Sequence, residues 1–539
     1  MKKTLILSGI ILAGLILRLI FIDKPDGLWN DEYVSYMISA TPWKGFVNAV
    51  KSQCHMPLYY IYLKFFMAIF GQSDILLRLT SVIAGMLSIP VMYFAGKEKD
   101  ENTGILCASL CAISAFLIYY SQEVRLYSLL FLISSACLLY TIRLIKNPNK
   151  KNLIICVLFN FLILITHTIG FVFVFFNLLF ISKNLFKNYK KAVIVLWSTI
   201  LAGTFIASPL VIKILTTQSF SQWWGHFSIS KIGFLFTDYF SPVITNLTNA
   251  PDNFFYMPIL APFMLIPAII AIFCIIKSVI KDKFNFGLLM IAIGVIAVLT
   301  VTSMTGKLVF ITKYSIEIYP ILIFLACSGL NLTENKIAKK SMLIIYTAIS
   351  LGFILFFPYS APKMHRAEGH KIATDLIKNT NLKDGDFILI EYYNKDRFEK
   401  YFDFSKYHVI SINKGNFHEY MTECMTYADA YKNGKEVYKK LFLSDNNSYL
   451  HAKLQSEIFD RLGEGQSVVM VVLNSVSFYN PDEVKNIASN ETLYKKTPLL
   501  FLVFSYLKKE TFYDLSQFAV TRIENKGKWT VVKFTKLNK

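Results

Sequence analysis

Two adjacent carboxylates, Asp31 and Glu32, are the first residues in this chain that could do chemistry. They stand in Leu28-Trp29-Asn30-Asp31-Glu32-Tyr33-Val34-Ser35-Tyr36, flanked by aromatic residues, just past the first hydrophobic stretch. Charge at a membrane edge is costly to desolvate, so the pair calls for a use. A carboxylate there can act as general base on an acceptor hydroxyl or amine. With Glu32 and His55 it can instead hold a divalent cation. A third use is structural: an acidic pair in the first turn of a short interface helix is favoured by the helix dipole.

Other polar residues gather in a few short clusters. In Cys54-His55-Met56-Pro57-Leu58-Tyr59-Tyr60, Pro57 suits the first turn of a helix and the tyrosine pair suits an aromatic belt. His55 reads either as a structural histidine or as one facing the same cavity as Asp31. In Tyr120-Ser121-Gln122-Glu123-Val124-Arg125-Leu126-Tyr127, Arg125 can clamp a phosphate and Glu123 can orient it or a sugar. Equally, the two can lock the turn by pairing. Lys313-Tyr314, with Lys307 upstream, can snorkel to the interface or neutralise a phosphate leaving group. Arg78 is open to the same two readings. Trp223-Trp224-Gly225-His226-Phe227 reads as an interface anchor. No CxxC pair and no zinc-type Cys/His spacing occurs. Six of the eight Cys fall in apolar runs; Cys54 and Cys424 lie outside them and read as free thiols.

The elements that must position these residues are membrane helices. The chain has 539 residues, of which 54% are hydrophobic and 17% charged. Mean hydropathy is +0.45. Apolar runs of about 18–24 residues, long enough to cross a bilayer, recur through the first two thirds. The net charge of +20 does not point to nucleic acid, because most Lys sit in short loops between apolar runs. Length and hydropathy predict about eleven spanning helices, at roughly 4–22, 74–96, 103–119, 125–145, 152–168, 170–182, 192–215, 257–277, 286–303, 311–330 and 341–358. The first follows Lys2-Lys3, lacks a small-residue cleavage site and reads as a retained helix rather than a signal peptide. Residues 23–73 hold pieces too short and too polar to span, which read as interfacial helices. Residues 216–256 form a second long loop.

Lys-rich turns after the even-numbered spans fall on one face together with Lys2 and Lys3, while the 216–256 loop holds one Lys. The positive-inside rule then puts the N-terminus in the cytoplasm. An odd number of spans puts the C-terminal part outside. The same count places 23–73, 120–124, 216–256 and 307–313 outside. Those are the segments that hold the unusual polar residues, although the polar residues played no part in drawing the topology.

Beyond about 359 the composition changes. The expected organisation is a transmembrane domain over 1–358 and an extracytoplasmic α/β domain over 359–539. Strands are expected at 386–391, 408–412, 468–473, 501–506 and 529–534, with a hairpin turn at Asn525-Lys526-Gly527. Helical spacing occurs at 367–378 and 449–462.

Taken in order, these residues resemble a known family. Asp31-Glu32 after the first helix, His55-x-Pro57-Leu58-Tyr59-Tyr60, Gly71 followed by Arg78-Leu79 and Ser81, and Tyr120-Ser121-Gln122-Glu123-x-Arg125-x-Tyr127-Ser128 resemble the protein mannosyltransferase/aminoarabinose transferase superfamily. These are membrane glycosyltransferases of the GT-C fold, and the similar branch is the bacterial dolichyl-phosphate-mannose–protein mannosyltransferase-like one. The similarity covers about 1–330. It departs from the pattern at Met56-Pro57, where the family usually has two prolines. It departs again at Lys313, often Arg, since Lys cannot make the same bidentate contact.

The resemblance implies a polytopic GT-C helical domain that moves a sugar, with inversion, from a polyprenyl-phosphate-linked donor to a protein, lipid or glycan acceptor. The reaction would occur at the outer face of the cytoplasmic membrane. It implies Asp31, with Glu32 beside it, as the catalytic acid pair, with Asp31 the base. It implies Arg125, Lys313 and Tyr314 as donor-phosphate ligands, and His55, Tyr59, Tyr60, Arg78 and Glu123 as substrate contacts. No cofactor is required, although a divalent cation at Asp31, Glu32 and His55 stays open. Two rivals are a flippase of lipid-linked sugars and a surface-polysaccharide polymerase or ligase. The enzyme reading requires Asp31 to lie within about 15 Å of Arg125 or Lys313, the span a phosphosugar can bridge.

Overall fold

In lipid, a backbone with no water to bond must satisfy itself, and apolar runs of this length do so as helices. The computed structural model describes residues 2–24, 27–53, 55–216, 230–242, 257–305, 310–356, 369–390, 395–411, 458, 461–473, 518–526 and 529–536. Two units are distinguished: Met1–Asp23 with Asp31–Met364, and Lys24–Asn30 with His365–Lys539.

In the first unit, each of the eleven expected spans is helical. The first is α1 (Lys2–Leu19). The stretch that follows holds α2 (Asn30–Ala40), α3 (Trp43–Ser52) and α4 (Leu58–Phe70). Even the 13 residues of α4 rise only about 20 Å, short of a hydrocarbon core about 30 Å thick. Next comes α5 (Asp74–Lys97), capped by Ser73, whose side chain accepts the Leu76 N–H. The third expected span is broken into α6 (Glu101–Ile113) and α7 (Ala115–Ser121), bent by 56°. Ser114 makes the break, restarting the helix by accepting the Leu117 N–H. Then follow α8 (Tyr127–Lys146), α9 (Lys150–Leu164), α10 (Gly170–Leu185) and α11 (Lys190–Thr216).

The loop expected over 216–256 instead contains a helix, α12 (Ser230–Phe240). Its apolar and polar residues are interleaved, so it shows no spanning run. After α13 (Met257–Lys281) and α14 (Lys283–Met304), the tenth expected span opens as a 3-10 turn, Thr312–Ile318. Ser315 within it leaves helical geometry at φ −113° and ψ 20°. The turn runs into α15 (Tyr319–Asn331), started by Pro320, and α16 (Lys336–Phe356) closes the unit.

Six described helices are long and apolar enough to cross a bilayer, and the bent α6–α7 pair makes a seventh. The chain is a multi-pass membrane protein. α9 and α10, with 15 and 16 residues, are shorter than an upright crossing requires.

The second unit carries a five-stranded sheet in the order β2-β1-β3-β5-β4. β1 (Phe387–Ile390) lies parallel between β2 (His408–Ser411) and β3 (Ser467–Leu473). β4 (Phe518–Lys526) and β5 (Trp529–Lys536) extend it antiparallel. The strand β4 was not expected, because Phe518–Lys526 mixes charge with apolar residues as an edge strand does. One face is covered by α17 (His370–Asn379), whose Ile372, Ala373, Leu376 and Ile377 pack on Ile388, Val469 and Val531. A short helix, α18 (Lys395–Glu399), contributes Phe398 to the same core. Cys54, Trp223, Trp224, Lys307, Cys424, Gly527, the expected strand at 501–506 and most of the expected helix at 449–462 lie outside the described residues.

Candidate active site

Asp31 and Glu32 occupy the first turn of α2, and successive residues of a helix project about 100° apart. Their fates differ accordingly. Glu32 is fully buried and takes both its oxygens to Arg78, at 2.9 Å from Nε and 2.9 Å from Nη2. Its Oε1 also accepts the Val124 N–H at 3.1 Å. Arg78, equally buried, donates a further bond to the Ile22 carbonyl at 3.3 Å. This pair ties the end of α1, the start of α2 and the turn after α7 to α5.

Asp31 keeps 19% of its side chain exposed and faces two cations. Its Oδ2 lies 3.4 Å from Lys313 Nζ and 3.7 Å from Arg125 Nη2. Arg125 Nη1 also donates to the Asp31 carbonyl and to Ser35 Oγ, each at 3.3 Å. Lys313 lies over the rings of Tyr127 and Tyr314, at 5.5 and 5.6 Å from their centroids. Arg125 carries a guanidinium, which stays protonated in proteins. It is therefore a fixed positive charge.

The scaffold around these groups is built from polar side chains at loop ends. The turn carrying Arg125 is pinned by Ser81, whose hydroxyl donates to the Glu123 carbonyl at 2.5 Å. Gln122 reaches back to the carbonyls of Arg18 and Ile20. Arg18 is buried and donates to Ser121 Oγ and to the carbonyls of Gly14, Ala112 and Cys111 at 3.0–3.2 Å. The turn carrying Lys313 is held from α12. Thr312 donates to Asp238 Oδ2 at 2.6 Å, and Tyr239 bonds the Thr312 carbonyl and Ser315. Tyr239 also stacks on Tyr319 at 4.3 Å. Non-helical backbone at this position is tolerated because protein groups satisfy it.

Several expected substrate contacts are placed differently. Arg78 is closed into the Glu32 pair, so it positions α2 rather than touching a ligand. Glu32 likewise is a structural anchor and not a member of an open catalytic pair. Glu123, Tyr59 and Tyr60 are buried. Tyr60 Oη meets His55 Nδ1 at 2.6 Å, with the two rings stacked. Burial, helped by Arg125, pushes the His55 imidazole down to about 3, with Asp31 opposing. His55 is thus neutral at pH 7 and shares one hydrogen bond with the Tyr60 hydroxyl. Among the described residues no group of three His, Cys, Asp or Glu converges to hold a metal ion. Glu32 turns to Arg78 and His55 to Tyr60, so the side chains of Asp31, Glu32 and His55 do not converge on one point. Tyr314, in contrast, lines the same cluster as Asp31, Arg125 and Lys313.

Sequence reasoning missed Ser35, Arg18 and α12 as supports, and the pair His167–Glu317. An Arg at position 18, inside an apolar run, was the legible signal for the first of the buried supports. A pocket of about 60 Å³, bordered by Leu110, Ile113, Cys274, Cys327 and Tyr346, is apolar and shares no lining residue with the acid–cation cluster.

The model of the family described as dolichyl-phosphate-mannose-protein mannosyltransferase matches residues 54–212. ArnT from Cupriavidus metallidurans in the apo state is similar over 99% of this chain and 98% of its own, at 12% identity and a TM-score of 0.51. The likeness to ArnT is one of fold, that of a GT-C glycosyltransferase. The same ArnT bound to undecaprenyl phosphate matches at a TM-score of 0.50, with 12% identity over 98% of this chain and 97% of that one. An oligosaccharyltransferase from Archaeoglobus fulgidus, in complex with Zn and sulfate, matches at 13% identity, 98% and 88% coverage and a TM-score of 0.47. No curated protein matches. The segment matched by the family model contains Arg78 and Arg125, while Asp31 and Lys313 lie outside it.

Proposed function

We propose that this protein moves a sugar from a polyprenyl-phosphate-linked donor to an acceptor, with inversion, at the outer face of the cytoplasmic membrane. The observation that carries the reading is the convergence of Arg125 and Lys313, within 4 Å, on the half-open carboxylate of Asp31. A base and a phosphate clamp in one place are what direct displacement at an anomeric carbon needs.

In the proposed reaction the acceptor O–H or N–H loses its proton to Asp31 as its heteroatom bonds the anomeric carbon. The bond from that carbon to the phosphate oxygen breaks. The electron pair leaves with the lipid phosphate, whose charge Arg125 and Lys313 stabilise. Tyr314 and Tyr127 wall the clamp and hold the two cations in place. The undecaprenyl phosphate seen with ArnT supports a carrier of that class. The acceptor class, protein, lipid or glycan, is left open.

The orientation follows from charge. Lys-rich turns collect on one face, which puts the N-terminus in the cytoplasm and the unit ending at Lys539 outside. Mass spectrometry of glycans and lipids from cells with the protein, without it, and with Asp31→Asn tests the proposal. One glycosylated species should be lost in the last two, with its lipid-linked donor accumulating. Identical profiles in all three would refute it.

A further inference from the structure

We propose that His167, oriented by Glu317, is a substrate-contacting residue whose Nε2 hydrogen-bonds a hydroxyl of the transferred sugar. This rests on the glycosyl-transfer reading above and adds to it a determinant of which carrier lipid is accepted.

His167 lies in the short turn between α9 and α10, and Glu317 in the 3-10 turn that also carries Lys313 and Tyr314. They are 150 residues apart, yet Nδ1 of His167 lies 2.6 Å from Oε1 of Glu317. The carboxylate is fully buried, and its other oxygen has no hydrogen-bond partner among the described residues. A buried carboxylate with one close partner needs a proton from it. Nδ1–H donation to Glu317 supplies that proton and fixes the tautomer. Nε2 on the opposite edge is left for another partner, and His167 keeps 13% of its side chain exposed.

The ring borders the acid–cation cluster through Tyr314. The His167 ring lies 6.2 Å from that of Tyr314, which also sits under Lys313. On its other side, the Ile165 carbonyl accepts the Leu58 N–H at 3.0 Å, tying the turn to the start of α4 just beyond His55. A phosphate held by Arg125 and Lys313 would leave its sugar against this wall. The imidazole offers that sugar a hydrogen-bonding group whose direction is set by a rigid carboxylate. Sites built to bond a hydroxyl discriminate strongly against ligands that lack one.

The test is native mass spectrometry of the full-length protein in detergent. The probes are undecaprenyl phosphate and the glycosylated carrier lipids extracted from the membranes of the producing cell. The readout is the ratio of sugar-bearing to bare carrier retained, which a merely structural role would not move. His167→Gln should lower that ratio about tenfold, the worth of one well-made hydrogen bond, with bare carrier held within about twofold of wild type. Glu317→Gln should lower it in the same direction by about threefold, because the ring is kept but its tautomer is freed. An unchanged ratio in His167→Gln overturns the proposal. So does equal loss of both probes, which would make His167 part of the phosphate clamp or of the fold. If Arg125→Ala leaves binding of the bare carrier intact, the glycosyl-transfer reading itself fails, and this inference falls with it.

Discussion

Glu32 and Asp31 are neighbours in the chain and opposites in the fold. Glu32 meets one cation, Arg78, in a dry bidentate pair with neither side chain exposed. Asp31 meets two cations at longer range, 3.4 and 3.7 Å, with its side chain part open. The first arrangement satisfies every donor it can and leaves nothing for a ligand. The second is loose enough for its cations to be taken over by another anion. In the proposed reaction Asp31 is the carboxylate that acts, while Glu32 fixes the helix on which both stand.

The contrast can be broken most severely at Asp31. Asp31→Asn should cut sugar transfer by about 10²–10⁴-fold, the usual worth of a general base, with thermal unfolding in detergent unchanged. Transfer within threefold of wild type would remove Asp31 from the chemistry. Glu32→Gln should do the reverse. It strands the Arg78 charge in a dry site and should cost about 3–5 kcal/mol of stability, seen as a fall in melting temperature and in inserted yield. Glu32→Leu with Arg78→Met should recover much of that loss, since no charge is then left unpaired. A Glu32→Gln protein as stable as wild type would show that the pair is not the anchor described.

Smaller effects sharpen the same comparison. Arg125→Ala should weaken undecaprenyl phosphate binding by about 10–100-fold, the value of a charge-assisted contact, and Lys313→Ala by less because Lys gives a single point contact. Equal losses would argue that the clamp is symmetric. Next is pH. His55 is held near 3 against an ordinary 6.5, first by burial and then by Arg125. His370 in the second unit is held near 3 by burial and Arg397. Between these values the unfolded chain binds more protons than the folded one, so stability is full above about 6.5 and falls as pH drops toward 3. Each fully coupled group contributes about 1.4 kcal/mol per pH unit in that window. His55→Gln should flatten the acid limb of a melting curve, and an unaltered limb would show His55 is not its source. The smallest expected effect is a gain. Because Asp31 occupies both cations, Asp31→Asn should bind undecaprenyl phosphate about threefold more tightly, a difference of under about 1 kcal/mol. Titration calorimetry showing weaker binding instead would mean that Asp31 does not compete with the phosphate.

Much of the fold was legible because membrane helices declare themselves by length and hydropathy. Every expected span coincides with a helix, and α2, α3 and α4 fall where short interfacial pieces were read. Where the reading failed, the pattern was weak for a physical reason. α12 is too short and too mixed to look like a span, yet its Asp238 and Tyr239 hold the turn that carries Lys313. β4 alternates poorly because it lies at a sheet edge, where packing constrains only part of its surface. The site was legible in kind but not in assignment. Asp31, Arg125, Lys313 and Tyr314 do come together, whereas Arg78 is closed into its pair with Glu32.

The sequence by itself determined that this chain crosses a membrane many times, which turns carry its positive charge, and that its unusual polar residues lie at helix ends. Those properties depend on local composition, which desolvation reads directly. Only the tertiary structure decided which carboxylate of an adjacent pair is locked away and which is left facing two cations. That choice depends on a rotation of about 100° about one helix axis and on partners 46, 94 and 282 residues distant. No local pattern encodes such contacts, because they exist only once separate helices have packed.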